Sequence, residues 1–144
     1  MFKNVLMVCV GNICRSPTAE YLLRHRFPDK SLTVTSAGLG ALVGRGVDET
    51  AHTLMHEHGI DASAHRARQI DADMIREADL ILTMEKRHLA SVNELVPSAR
   101  GKTFLLGKWE DEREIPDPYR QQRPAFDHVY ELIENSVSHW AKYL

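Results

Sequence analysis

The sequence predicts a single α/β domain, a parallel sheet covered by helices on both faces. Three observations carry this reading. Val5-Leu6-Met7-Val8-Cys9-Val10 is continuously apolar, as a strand buried on both sides must be. Further strand-like runs alternate with segments of helical periodicity, the pattern of right-handed crossovers between parallel strands. The length, 144 residues, suits one domain, and residues 1–144 contain no linker-like, repeated or low-complexity stretch.

The elements follow in order. After the first strand, Ser16-Pro17 starts a helix, with Ser16 as its cap and Pro17 at the first helical position, where a missing N–H costs nothing. Ala19, Leu22, Leu23 and Phe27 give that helix an apolar face, and Pro28 closes it. Residues 32–36 form a second strand, and residues 37–47, with four glycines, form a loop. Ala51, Leu54, Met55 and His58 line a second helix that Gly59 ends. Residues 78–84 read as a third strand. Leu89, Val92, Leu95 and Val96 mark a helix stopped by Pro97, and residues 103–106 are a fourth strand. A last helix over residues 123–143 carries Phe126, Val129, Tyr130, Ile133, Val137, Trp140 and Ala141 at helical spacing.

Composition narrows the function. Lys and Arg number 18 against 20 Asp and Glu, a formal charge of -2, which argues against a nucleic-acid partner. Cys9 and Cys14 are the two cysteines, too few for a disulfide framework and suited to a reducing cytoplasm. The opening run, residues 1–10, includes Lys3 and Asn4 and is too short to cross a bilayer, so no membrane insertion or export is expected. His52 and His56 lie four apart on one helix, but no acid or cysteine pattern accompanies them, and no metal or cofactor is expected.

In a parallel sheet, ligands gather at the carboxyl ends of the strands, and Cys9 ends the first strand. From Cys9 the chain reads Val10-Gly11-Asn12-Ile13-Cys14-Arg15-Ser16, which places five residues between Cys9 and Arg15. A short loop between a strand and a helix can aim successive backbone N–H groups at one centre, and the helix dipole adds positive potential there. Gly11 allows close approach, and Asn12 tolerates left-handed backbone. Arg15 offers a planar fork for two phosphate oxygens. The same field favours thiolate at Cys9, making it a nucleophile aimed at phosphorus. The loop lacks the Gly-Lys-Ser/Thr ending of a nucleotide-binding loop, and two cysteines alone make no zinc site.

This loop resembles the signature of the low-molecular-weight protein tyrosine phosphatases. The likeness continues through Ser36-Ala37-Gly38, His65-Arg66-Ala67-Arg68-Gln69-Ile70, residues 79–84 and Asp117-Pro118-Tyr119. Residues 10–20 and Leu39-Gly40-Ala41-Leu42-Val43-Gly44 are closest to the bacterial branch that pairs with tyrosine autokinases of capsule and exopolysaccharide synthesis. The resemblance implies a sheet in the order 2-1-3-4, Cys9 as nucleophile and Arg15 as clamp of the transferring phosphoryl group. It implies that Asn12 and Ser16 hold the loop and hydrogen-bond the thiolate, with Ser36 in the same supporting network. It further implies a tyrosine-phosphorylated protein partner, the cytoplasmic tail of a membrane autokinase.

Hydrolysis through cysteine also needs a proton donor for the leaving phenolate. Asp117 lies between Pro116 and Pro118, which restrict it, and prolines on both sides equally suit a simple turn. The family match at Asp117-Pro118 points to the general acid. Leu42 and Tyr119 are the expected apolar rim for an aryl ring. Arg45, Arg66 and Arg120 are candidates for contact with acidic peptide. Glu85 stands where relatives often carry Asp, Asp79 is assigned to folding, and His65 and His88 are read as hydrogen-bonded structural residues or surface groups rather than catalysts. Cys14, inside the loop, is a candidate redox partner for Cys9.

Three rivals fit less well. A thioredoxin-coupled arsenate reductase of the same fold needs further cysteines, and there are none after Cys14; a glutaredoxin-coupled one gives no role to Asp117. A non-catalytic phosphopeptide-binding module would not need both nucleophile and acid. A phosphocysteine carrier of sugar transport would be discharged by Arg15 and Asp117.

Overall fold

The computed structural model describes residues 2–144; Met1, which begins both the opening apolar run and the expected domain, lies outside them. The chain runs through β1 (Asn4–Cys9), α1 (Arg15–Arg26), β2 (Thr33–Gly38), α2 (Glu49–Glu57), α3 (Ala72–Glu77), β3 (Leu80–Thr83) and α4 (Lys86–Leu95). A 3-10 helix (Pro97–Lys102), β4 (Thr103–Leu105) and α5 (Arg123–Ala141) complete it. The strands form one parallel sheet in the order β2-β1-β3-β4, as expected.

Strand alternation divides the core in two. Val5, Met7 and Cys9 of β1 pack with α1, α2 and α5 on one face of the sheet. Leu6 and Val8 pack with Ile75 of α3, Val92 of α4 and Ala99 of the 3-10 helix on the other. Both sets are buried, so β1 shows no polar side chain after Asn4. The chain leaves β1 toward β2 and returns past it to β3. That reversal opens a crevice at the carboxyl ends of β1 and β3, where Cys9 and Glu85 lie.

The structure corrects several expectations. Helix α1 begins at Arg15, and Cys14 holds the cap position with no side-chain cap bond, so Ser16 lies inside the helix. Its hydroxyl is turned toward Cys9 instead. Strand β2 extends through Ala37 and Gly38, because both pair with the end of β1. Helix α3 was missing from the sequence reading: it has six residues and one buried side chain, Ile75, too little for periodicity to show. Its one legible signal is Asp71, whose carboxylate accepts the Met74 N–H. Pro97 does stop α4, but it also opens the 3-10 helix. Asp79 ties down the start of β1, its Oδ2 accepting the N–H groups of Lys3 and Asn4 at 2.8 Å each.

Gly38 is where fold and site meet. A Cβ there would stand 2.3 Å from the Val10 carbonyl oxygen and 3.1 Å from the Asn12 Cβ, both in the loop after β1. Gly38→Ala must therefore displace that loop, at about 1–3 kcal/mol of overpacking. The expected outcome is a modest fall in thermal midpoint with a disproportionate loss of the aryl phosphate hydrolysis that the family likeness implies. Calorimetry and steady-state hydrolysis on the same preparation check it, and wild-type activity would show that the loop yields freely.

Candidate active site

The loop from Cys9 to Cys14 is built by pulling its carbonyls outward. Cys9 O accepts from Leu39 N (2.9 Å), Val10 O from Gly40 N (3.0 Å), and Gly11 O from Leu42 N (3.1 Å). Asn12 O accepts from His65 Nε2 (2.7 Å) and Ile13 O from Asp48 N (2.8 Å). Cys14 O takes both the N–H (3.1 Å) and the hydroxyl (2.7 Å) of Thr18. With six consecutive carbonyls engaged outside, the N–H groups of the loop face its centre. Those of Gly11, Asn12, Ile13 and Cys14 meet no protein acceptor among the described residues. This makes an anion nest at the start of α1.

Asn12 sits at the turning point with φ 59°. Its amide orientation is fixed, because Oδ1 accepts the backbone N–H of Arg68 at 2.9 Å. Nδ2 then donates to Ser16 Oγ (2.8 Å) and Ser36 Oγ (2.9 Å). Each serine oxygen is thus an acceptor whose own proton goes onward. Ser36 donates to Glu20 Oε1 at 2.5 Å, and Glu20 is paired with Arg24. Ser16 is left to donate to Cys9 Sγ at 2.8 Å, a bond that suits a thiolate. Asn12, Ser16 and Ser36 are all buried and belong to one network.

Arg15 is 2% exposed, an unusual place for a guanidinium. One nitrogen anchors it: Nη1 donates to Glu85 Oε2 at 2.6 Å and to Ile115 O at 2.8 Å. The Nε and Nη2 edge has no such bond to the protein among the described residues. Nη2 lies 3.9 Å from Asp117 Oδ2. Glu85, whose role the sequence left open, is the ionic partner. Burial opposes its ionisation, but hydrogen bonds from Arg87 and Arg15 outweigh that and hold the carboxyl down at about 2. His88, buried against Glu85, is held down at about 4 by burial and by Arg15, with Glu85 opposing.

One cleft brings the remaining candidates together. Cys9 and Arg15 are buried at its base, Leu42 and Tyr119 are half-buried in its lining, and Asp117 is exposed at its mouth. Asp117 Oδ1 accepts the Tyr119 N–H at 3.0 Å and its carbonyl accepts from Gln121 Nε2 at 2.9 Å, which fixes the Asp-Pro-Tyr turn. Arg120 has φ 65° and lays its guanidinium over the Tyr119 ring at 5.2 Å. Arg66 is engaged by the carbonyls of Ser63 and His65 rather than reaching for the cleft. Cys14 is buried, and desolvation pushes its thiol well above the usual cysteine range, with Asp48, Cys9 and Asp117 adding to it and Arg15 opposing. Glu85 and His88 are the participants that sequence reasoning did not place; their signal was proximity to the end of β3.

Residues 4–144 match the family model described as low molecular weight phosphotyrosine protein phosphatase. The chain is 56% identical over 144 residues to the low molecular weight protein-tyrosine-phosphatase Wzb of Salmonella typhimurium, covering all of this chain and 95% of that protein. It superposes with a TM-score of 0.95 on the crystal structure of the Erwinia amylovora tyrosine phosphatase AmsI, at 48% identity, covering 100% of this chain and 94% of that one. Vibrio vulnificus Wzb in complex with benzylphosphonate gives the same TM-score at 42% identity, with 100% of both chains covered. The chain belongs to the low molecular weight phosphotyrosine protein phosphatase family and is an enzyme, a cysteine-dependent protein-tyrosine-phosphatase.

The histidine behind the clamp predicts a pH dependence. His88 has its ordinary value, 6.5, in the unfolded chain and about 4 in the folded one. Its depressed value means the folded state is favoured above 6.5 and loses that advantage as pH falls toward 4. Glu85, held near 2, stays charged throughout this window. Thermal midpoints should therefore fall between pH 6.5 and 4, and fall less in His88→Gln. Parallel slopes in the two proteins would assign the acid limb to other groups.

Proposed function

We propose that this enzyme hydrolyses phosphotyrosine in proteins through a phosphocysteine at Cys9, with Arg15 as clamp and Asp117 as general acid and base. The observation that carries the reading is the convergence of a buried thiol, a buried guanidinium with a free edge, and an exposed carboxylate in one cleft. Cys9 Sγ attacks phosphorus while the inward N–H groups of Gly11–Cys14 and the Nε–Nη2 edge of Arg15 hold the three equatorial oxygens. The bond to the phenolic oxygen breaks, and Asp117 delivers its proton to that oxygen. In the second half Asp117, now a carboxylate, takes a proton from water as its oxygen displaces Cys9 from phosphorus. Inorganic phosphate leaves, and Ser16 receives the returning thiolate.

The aryl preference follows from depth and lining. Cys9 is 3% exposed, so the reacting phosphorus must be carried inward on a rigid spacer. Ile13, Leu42 and Tyr119 provide apolar surface for a ring. A relative was crystallised with benzylphosphonate, an aryl-bearing phosphonate of related shape. We assign the physiological substrate to the cytoplasmic tail of a membrane tyrosine autokinase that governs capsule or exopolysaccharide production, on the likeness of residues 10–20 and 39–44 to that bacterial branch. A cytoplasmic enzyme fits this reading, and no helix among the described residues is long and apolar enough to cross a membrane.

The test pairs two variants with two leaving groups. Cys9→Ser should lose sustained turnover on any aryl phosphate, since a serine hydroxyl has no comparable tendency to ionise. Asp117→Asn should lose about 100-fold or more on phenyl phosphate and much less on a nitrophenyl ester, whose oxygen departs without a proton. Equal losses on both esters would leave Asp117 as a turn residue, and activity in Cys9→Ser would remove the cysteine mechanism.

The same reading extends to redox control. Peroxide converts the Cys9 thiolate to sulfenic acid, and the Cys14 thiol then displaces its oxygen as water to form a disulfide. Because burial keeps Cys14 protonated, capture should be slow, and peroxide in excess should outrun it. Wild type should recover with added thiol after brief oxidation, whereas Cys14→Ala should recover poorly. Peptide mass analysis checks it: a Cys9–Cys14 link supports capture, and equal recovery of both proteins leaves Cys14 as packing.

A further inference from the structure

His88 is 1% exposed, and the chemistry above does not use it. Its ring is oriented by a group that can only donate: the Glu85 N–H reaches Nδ1 at 3.2 Å. The neutral ring therefore carries its proton on Nε2. That Nε2 has no hydrogen-bond partner among the described residues, a rare condition for a buried polar atom. It stands 3.5 Å from Glu85 Oε2, the oxygen that receives Arg15 Nη1 at 2.6 Å. From the solvent side, Arg87 reaches Oε1 at 3.0 Å with Nε and Oε2 at 3.4 Å with Nη2, but its side chain is 69% exposed and its position is loosely set. His88 is the packed, rigid group behind this carboxylate.

We propose that His88 is a positioning residue for the phosphoryl clamp: its Nε2–H backs Glu85 Oε2, and Glu85 sets the plane of the Arg15 guanidinium. In the free enzyme Oε2 accepts Arg15 at 2.6 Å and, from the solvent side, Arg87 at 3.4 Å, and the histidine proton waits just beyond bonding distance. A phosphoryl dianion on the Nε–Nη2 edge draws the guanidinium toward itself and slackens the Nη1–Oε2 bond. The lone pair released on Oε2 then accepts the Nε2–H, so Glu85 keeps its place while Arg15 carries a second anion. No proton changes owner. Burial keeps the ring neutral, and thus a single donor with a fixed tautomer, at any pH above about 4. The 3.5 Å gap is the unmade state of a bond that forms on loading.

The inference rests on Arg15 being the clamp, and the experiment separates the two. His88→Asn can still accept the Glu85 N–H at the position of Nδ1, but it has no atom where Nε2 stands. His88→Gln restores a donor there. Against a nitrophenyl phosphate, His88→Asn should lose about tenfold or more in kcat, with KM nearly unchanged, as expected for a lost supporting bond behind a reacting group. Orthovanadate affinity should weaken by a similar factor. The rate of Cys9 alkylation by iodoacetamide at fixed pH should stay at the wild-type value, because the Ser16–Asn12 network is untouched. His88→Gln should recover most of the loss. Wild-type kcat in His88→Asn overturns the proposal, as do equal losses in the Asn and Gln variants. Arg15→Lys is run beside them: near-normal turnover there removes the clamp reading itself, whereas its failure with an unaffected His88→Asn removes only the role of His88. Nuclear magnetic resonance of wild type, with and without orthovanadate, needs no variant to fold. The Nε2–H tautomer with a proton resonance moving downfield on binding is expected, and an Nδ1–H ring or an unmoved resonance overturns the proposal.

Discussion

The catalytic loop depends on where its carbonyls are tied. A peptide group has two ends, and turning one outward turns the other inward. From Cys9 to Cys14 every carbonyl is held by a donor from elsewhere: the glycine-containing segment after β2, His65, Asp48 and Thr18. The cost of facing several N–H dipoles at one point is therefore met within the folded scaffold before any ligand arrives. Leu39, Gly40 and Leu42 lie immediately beyond β2, in register with the end of β1 because Cys9 and Gly38 are paired. A one-residue slip of that pairing would take the donors off the carbonyls. The active loop is in this sense a continuation of the sheet.

Within that frame Cys9 and Arg15 are approached in opposite ways. The thiol is approached by a chain of neutral donors, from Asn12 through Ser16, whose direction is imposed by the Arg68 N–H on the far side of the amide. The guanidinium is approached by acceptors, Glu85 and the Ile115 carbonyl, both on one nitrogen. Cys9 is thus met by a hydroxyl, and Arg15 by a carboxylate and a carbonyl that hold one corner of its fork. Concentrating the anchor on Nη1 matters because a planar fork held at one corner presents its opposite edge in a defined plane. Removing Glu85 would leave a buried cation short of a partner, the costly way to break an ion pair.

Much of this was legible in the sequence, in proportion to how local it is. The unbroken apolar run of β1, the five residues between Cys9 and Arg15, and the left-handed position of Asn12 are read along the chain, and the sheet order followed from the family likeness. Ser16 was misread as a cap because Ser-Pro at a helix start is the usual capping signature, and the turn of its hydroxyl back seven residues to Cys9 was implied only by the family likeness, not by the local residues. Helix α3 escaped because six residues carry less than two turns of pattern. Glu85 is separated from Arg15 by 70 positions and Ile115 by 100, so only the order of the strands brings them together. His88 is more hidden still, since its importance lies in an atom left without a partner, which no residue pattern encodes.

Asp117 is the exposed end of an otherwise buried set. A group proposed to give a proton in one step and take one in the next must be reached by water between them. It is accordingly the exposed member of the set, 46% accessible in its side chain, while Arg15 is sealed. Its freedom is limited in another way: Pro116 and Pro118 restrict the backbone, and the Tyr119 N–H holds one carboxylate oxygen, leaving the other facing Arg15 across 3.9 Å. Ile115, two residues earlier, donates its N–H to Met84 and gives its carbonyl to Arg15. The proposed acid is therefore joined, through Ile115, to the guanidinium proposed as clamp. Ile115 thus ties Arg15 to the segment that carries Asp117, so on the proposed roles the placing of the phosphoryl group and of the proton donor both depend on one buried side chain.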